Sequence, residues 1–187
     1  TGEVDPGSDG DALTAAHAAL RGERPIILVG ERLATVPGAL AAAAELAGTT
    51  GARLAWIPRR AGERGAIEAG CLPGEGGKDT AGIIHAAAEG TIGGLVVGGV
   101  DVRDTGLPEE LTSRALERAF VVSLEIRPSS VTEHADVVLP VAPHAELEGA
   151  FINWEGRVRP FEASLSTTAL PDHRVLHMLA DEMGEFL

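Results

Sequence analysis

Apolar positions along this sequence gather in short unbroken runs instead of alternating with polar ones. Ile26, Ile27, Leu28 and Val29 follow Pro25 and stop at Gly30; GLVVGG occupies 94–99, and Phe120 to Leu124 and Val137 to Leu139 repeat the pattern. Such runs, three to six residues long and rich in β-branched side chains, predict strands covered on both faces. A fifth strand is expected over 53–57. Between the runs lie stretches with helix punctuation. A first helix is expected over 9–20, capped by Asp9 or Asp11 and closed by Gly22. Thr35 and Pro37 announce a second over the alanine-rich 39–47, with Gly48 as its stop. Asp79 caps a helix over 80–89 that Gly90 closes. Pro108 opens another, with Glu109 and Glu110 in its first turn and Arg114 and Arg118 towards its end, charges that complement the helix dipole. Ser130 with Glu133 reads as a capping box for a short helix. The last helix, 172–183, places Val175, Leu176, Leu179 and Met183, with Phe186 beyond, on a core-facing stripe.

Five apolar strands alternating with helices predict an α/β fold: an open, mostly parallel, doubly wound (Rossmann-like) sheet with helices on both faces. The expected organisation is one domain, 1–187, of two βα halves at about 9–73 and 79–187. A glycine-rich linker near 74–78 joins them, and 1–8 form a flexible polar leader. That leader and the lack of an initiating Met predict a segment of a longer chain.

Composition removes several function classes. The net charge of −13, from 15 Lys and Arg against 28 Asp and Glu, repels nucleic acid and anionic lipid. The apolar runs are strand-sized, so no direct membrane insertion is expected. Cys71 is the only cysteine, so neither an internal disulfide nor an iron-sulfur cluster held by this chain's own thiolates is available.

Several motifs invite chemistry and decline it. LPGEGGKDT at 72–80 resembles a phosphate-binding loop but has Leu72 at the first glycine position and Asp79 in place of the magnesium-binding Ser or Thr. Arg59, Arg60 and Arg64, in a loop over 58–70 with one helical turn at most, read as a solvated, salt-bridged cluster before an anion clamp. His173, His177 and Asp181 share a helical stripe, but the spacing is not that of a metalloprotease, and no metal site is expected. Glu146, Glu148 and Glu155 lack the burial that would separate their pKa values into an acid and a base. No catalytic residue is expected.

The densest polar segment follows the 137–139 strand: Glu146, Glu148, Gly149, Asn153, Glu155, Gly156 and Arg157, with Phe151, Ile152 and Trp154 among them. By itself it reads as a loop and edge ribbon shaped by its glycines, leaving a strand end where α/β proteins gather ligands. Ala135 to Pro140, then Glu146, Gly149, Phe151, Asn153, Glu155, Gly156 and Arg157, resemble the pattern ADVVLP, then E, then GTFxNxEGR, of the molybdopterin oxidoreductase family. Within it the sequence is most similar to the large iron-sulfur subunits, known as the G subunits, of NADH:quinone oxidoreductases, respiratory complex I. The resemblance covers most of the sequence and is specific over about 25 residues.

It implies a domain that in active members grips molybdopterin guanine dinucleotide at strand ends. The positions that would do so here are Gly98, Gly99, Glu125, Glu146, Asn153 and Arg157. The departures matter: Val100 and Asp101 follow the glycine pair where Asn-Pro is usual, Leu124 and Glu125 stand for Gln-Asp, and Val131 and Ala150 replace Thr. Losing these donors and acceptors would cost a bound cofactor on the order of 1 to 3 kcal/mol each. The resemblance therefore implies a cofactor-free structural segment that scaffolds the NADH-oxidising arm. Iron-sulfur clusters would lie in a missing N-terminal part, other complex I subunits would be its partners, and its place would be cytoplasmic, peripheral to the inner face of the cell membrane. The alternative is a domain that still binds molybdopterin guanine dinucleotide in a molybdenum or tungsten oxidoreductase such as a formate dehydrogenase. A free-standing nucleotide-binding module is a third reading, which the leader opposes.

Overall fold

The computed structural model describes residues 10–34 and 36–185. The expected Asp9 cap, the 1–8 leader, Thr35 and Phe186 lie outside them. Seven helices and seven strands are assigned among the described residues: α1 (Gly10–Leu20), β1 (Ile26–Val29), α2 (Glu31–Ala34), α3 (Ala39–Thr50), β2 (Arg53–Trp56), α4 (Glu63–Glu68), α5 (Thr80–Glu89), β3 (Gly94–Gly98), α6 (Glu109–Arg118), β4 (Phe120–Glu125), β5 (Val137–Pro140), β6 (Gly149–Ile152), β7 (Val158–Phe161) and α7 (Asp172–Met183). The fold is α/β with open parallel sheets flanked by helices. Two compact units divide it: Thr1–Gly70 with Phe151–Arg159, and Cys71–Ala150 with Pro160–Leu187.

In the first unit β1 and β2 pair in parallel, Ile26 opposite Arg53 and Val29 opposite Trp56. A strand, a helix and a strand in about thirty residues make one βαβ crossover, with α3 returning the chain to the sheet. Ala43 and Ala47 of α3 and Val29 of β1 are buried. Small alanines let the helix axis approach the pleated strands closely. The helix runs through Gly48 and ends at Gly51, whose φ of 68° is the left-handed conformation that breaks the hydrogen-bond ladder. Gly48 is thus not the expected stop. The loop over 58–70 holds the six-residue α4, longer than the single turn expected.

In the second unit β3, β4 and β5 form a parallel sheet in that order, Leu95 opposite Val121 and Val122 opposite Val137. α5 and α6 lie on one face. Their Ile84, Ala87, Ala88, Leu111, Ala115 and Leu116 pack with Leu95, Val121 and Val131 into the unit's core. α5 begins where expected, its Asp79 side chain accepting a hydrogen bond from the Gly82 N–H at 2.8 Å. α7 meets the opposite face at the strand ends, where Asp172 Oδ1 lies 3.9 Å from the place a Cβ on Gly98 would occupy.

Three expectations are corrected. The apolar runs are not covered on both faces: Ile26 and Leu28 are 58% and 59% exposed, and Val137 and Val138 are also exposed. A run of apolar residues announces a strand but not how many layers pack against it, and β5 is an edge strand with one neighbour. Ser130 and Glu133 do not form a capping box, and 130–134 are turns instead of a helix. Ser129 and Thr132 take that role, each side chain accepting from the other's backbone N–H at 3.3 and 2.7 Å, while the Ser130 hydroxyl has no protein partner. On α7 the stripe turned inward is Val175, Leu179 and Ala180, whereas Leu176 and Met183 are exposed.

Gly90 closes α5 at φ 79° and the Arg118 guanidinium lies across it, so that a Cβ there would come within 2.5 Å of Arg118 Nε. Gly90→Ala is expected to lower stability by about 1–2 kcal/mol, from the left-handed strain of a residue with a Cβ. Gly93→Ala, which meets open space, is expected to change it by less than about 0.5 kcal/mol. Urea denaturation of the two variants beside the parent checks the contrast.

Candidate functional site

The strand ends of the second unit bring Gly98, Gly99 and Glu125 together. β3 and β4 run in register to Gly98 opposite Leu124, and the Gly99 N–H then donates to the Leu124 carbonyl at 3.1 Å. Gly99 has φ 59°, a conformation that glycine adopts without the Cβ penalty, so the backbone turns away from the sheet at once. The Glu125 backbone carbonyl accepts from Val141 N–H, and its side chain folds back to accept from the N–H of Ile126 at 2.9 Å. Asp101, just beyond, accepts from the side chain and the backbone N–H of Arg103. Those hydrogen bonds hold its carboxyl below the ordinary aspartate value, the side-chain bond first and the backbone bond second.

Both signs of charge stand at this strand end: the Arg103 guanidinium on Asp101, and carboxylates at Asp172 and Glu125. Asp172, the first residue of α7, sets its carboxylate against Gly98. Leu124 is 2% exposed and Val131 1%, the latter inside the α5/α6 core. A phosphate brought here would meet the Asp172 and Glu125 carboxylates, with a repulsion of roughly 3 kcal/mol for a unit charge at about 5 Å in an effective dielectric of 20. A guanine base would find hydrocarbon at Leu124 and Val131. Leu124 and Val131 offer such a group neither donor nor acceptor. Asp172 was missed as a member of this neighbourhood; an acidic residue at a helix start reads as dipole stabilisation, and only the fold returns it to β3.

Glu146 is half-buried in a short turn over His144–Glu146. Its neighbour Ala145 offers a carbonyl that accepts from both Ser164 and Leu165 N–H groups. Glu148 is exposed.

Asn153 and Arg157 belong to the first unit, in the turn that joins β6 to β7. Asn153 Oδ1 accepts from the backbone N–H groups of Glu155 and Arg157 at 3.1 and 2.9 Å, and its own N–H donates to the Arg157 carbonyl. Arg157 Nε pairs with Glu155 Oε2 at 3.3 Å. Gly156 turns at φ 83° beside the Arg64 guanidinium, and Arg64 reaches the Trp154 carbonyl as well as Glu68. The NWEGR motif thus spends its polar groups on closing its own turn. Of the basic cluster, Arg64 is salt-bridged, and the backbone N–H of Arg59 donates to Glu63.

Asp136, in the motif preceding β5, also has a structural task. Its carboxylate accepts from the buried Val121 N–H at 2.8 Å, and its N–H donates to the Val121 carbonyl. His177 and Asp181 approach to 3.6 Å, but no three metal-ligating side chains converge among the described residues. The LPGEGGKDT segment forms a turn in which the Gly77 N–H donates to the Gly74 carbonyl, and Cys71 is exposed.

No family model matches the chain. The G subunit of NADH-quinone oxidoreductase from Mycobacterium tuberculosis is 47% identical over 213 residues, covering 97% of this chain and 26% of the relative. The protein of the same name from Streptomyces coelicolor is 49% identical over 93% of this chain and 25% of its own length. The chain therefore spans about a quarter of the curated relatives it matches. A Bacillus subtilis protein provisionally named a formate dehydrogenase, YrhE, is 30% identical over 60% of the chain and 12% of its own length.

Two outcomes are expected. The Asp101 carboxyl, followed by NMR, titrates below the ordinary aspartate range, and Arg103→Ala moves its midpoint up towards that range. Because the folded value is the lower one, the stability contributed by this pair is present above the unfolded aspartate pKa, near 3.9, and is lost as pH falls through the folded value. Asn153→Ala removes two accepted hydrogen bonds from the turn and is expected to cost about 1–2 kcal/mol, whereas Asn153→Asp keeps both acceptors and retains most of the stability. Trp fluorescence during denaturation reads both variants, since Trp154 sits in the turn.

Proposed function

This chain being homologous, over 97% of its length, to about a quarter of the G subunit of NADH-quinone oxidoreductase, we infer that it is a cofactor-free structural segment from the C-terminal part of such a subunit. It scaffolds the NADH-oxidising arm of a multi-subunit complex. The iron-sulfur clusters belong to a preceding part of the subunit, consistent with the lone exposed Cys71. Among the described residues no helix is long and apolar enough to cross a membrane. The segment meets the membrane's inner, cytoplasmic side only through the complex, and its partners are the other subunits.

The observation that carries the cofactor-free reading is the strand end itself. A carboxylate rests against Gly98, a second lies at Glu125, and buried Leu124 and Val131 occupy places where the resemblance puts hydrogen-bonding side chains. Asn153 and Arg157 are engaged with their own turn. The donor side chain nearest the glycine pair in sequence, Arg103, is paired with Asp101.

A second reading rests on that glycine pair, with Gly99 in the left-handed region, and on the partial similarity to the YrhE protein. It makes the β3 and β4 ends a working guanine dinucleotide site in a molybdenum or tungsten enzyme.

Molybdenum and tungsten content and released guanine nucleotide, measured on the full-length protein purified from its own source, separate the two. Neither metal nor nucleotide above trace is expected. Stoichiometric metal together with guanine nucleotide would overturn the scaffold reading.

A further inference from the structure

The three-stranded parallel sheet of the second unit has two faces, and they are treated differently. Leu95, Val97 and Val121 point into the α5/α6 core. The alternate residues point the other way. By the register, Val96, Val122 and Val137 lie side by side across all three strands, with Phe120 two residues before Val122. α7 reaches this face only at the strand ends, where Asp172 meets Gly98 and where Leu124 is buried. Nearer the strand starts the face is open: Val96 is 57% exposed, Phe120 55% and Val137 38%.

An open apolar face is anomalous for a parallel sheet. Crossover connections place layers on both sides, and all-parallel sheets are found almost solely with both faces covered. An antiparallel sheet would show polar side chains on a solvated face; here the row holds three valines and a phenylalanine with no charged residue among them. Leaving it in water forfeits the hydrophobic stabilisation that burial of each large side chain would give. The residues are therefore those of an interior surface.

We propose that this face, Val96, Phe120, Val122 and Val137, is an intrachain interface covered by the remainder of the same polypeptide. The proposal rests on the assignment of the chain to the C-terminal part of an NADH-quinone oxidoreductase G subunit. One observation favours a segment of the same polypeptide over a separate subunit. The relatives are about four times longer than the stretch they share with this chain, so chain to cover the face exists at the high effective concentration of a covalent tether.

Hydroxyl-radical footprinting of the full-length protein, read peptide by peptide by mass spectrometry, tests this without substitutions. Phe120 is expected to be oxidised at least tenfold more slowly in the native protein than in the same protein unfolded in urea, both free and in the assembled complex. Oxidation of native Phe120 at half the unfolded rate or faster would show the face in water and overturn the proposal. Protection that appears only in the assembled complex would overturn it as well, assigning the face to another subunit. As a second measurement, Phe120→Asp in the full-length protein is expected to open the 94–140 region to limited proteolysis, while Met183→Asp, at a position 71% exposed, leaves the digest unchanged. Equal digests for both variants and the parent would count against the proposal. The full reading frame tests the underlying assignment separately: lack of upstream cluster-binding cysteines would sink that assignment, and the footprint would still report whether the face is covered.

Discussion

The reciprocal pair between Asp136 and Val121 holds the second unit to one register. The carboxylate accepts from the Val121 N–H while the Asp136 N–H donates to the Val121 carbonyl, so the residue just before β5 grips a fully buried position of β4 from both sides. A strand's side chains alternate between faces, and a slip of one residue would exchange every inward and outward group. With Asp136 in place, Val137 falls opposite Val122 and Leu139 opposite Leu124. The segment leaving β5 then reaches Ala142, whose N–H donates to the Leu170 carbonyl just ahead of α7. That contact delivers Asp172 to Gly98, so the electrostatics of the strand end follow from one carboxylate at the other end of β5.

The polar residues of the motif that follows are engaged with the backbone in the same way. Asp136 sets register, Asn153 closes a turn with two accepted hydrogen bonds, Gly156 supplies a left-handed residue, and Arg157 is paired within the turn. None of these tasks needs a ligand. Leu124 and Val131, which have no hydrogen-bonding task of this kind, are buried hydrocarbon.

Much of the fold was legible. β1, β3, β4 and β5 were found as apolar runs, α5 by its cap and closing glycine, α6 by its opening proline and dipole-matched charges, and α7 by its apolar stripe, because these signals act within a few residues. Where two candidates stood close together, the sequence did not choose between them. Gly48 and Gly51 are equivalent on paper, and Ser130 with Glu133 has the same spacing as Ser129 with Thr132; the backbone dihedrals and the neighbouring strand selected the second of each pair. Gly98, Gly99 and Glu125 were legible as a strand end. Asp172 was not, since it lies far along the chain and arrives only when α7 packs.

The sequence by itself determined the alternation of strands and helices, the parallel pairing that short crossovers impose, and the family to which the chain is homologous. These follow from local side-chain shape, backbone conformational limits and linear motif. Only the tertiary structure decided which apolar residues are interior, which carboxylate stands at the strand end, and which motif residues serve the backbone. Each of those depends on what packs against a residue from elsewhere in the chain, and an apolar side chain is written the same way whether a helix covers it or nothing does.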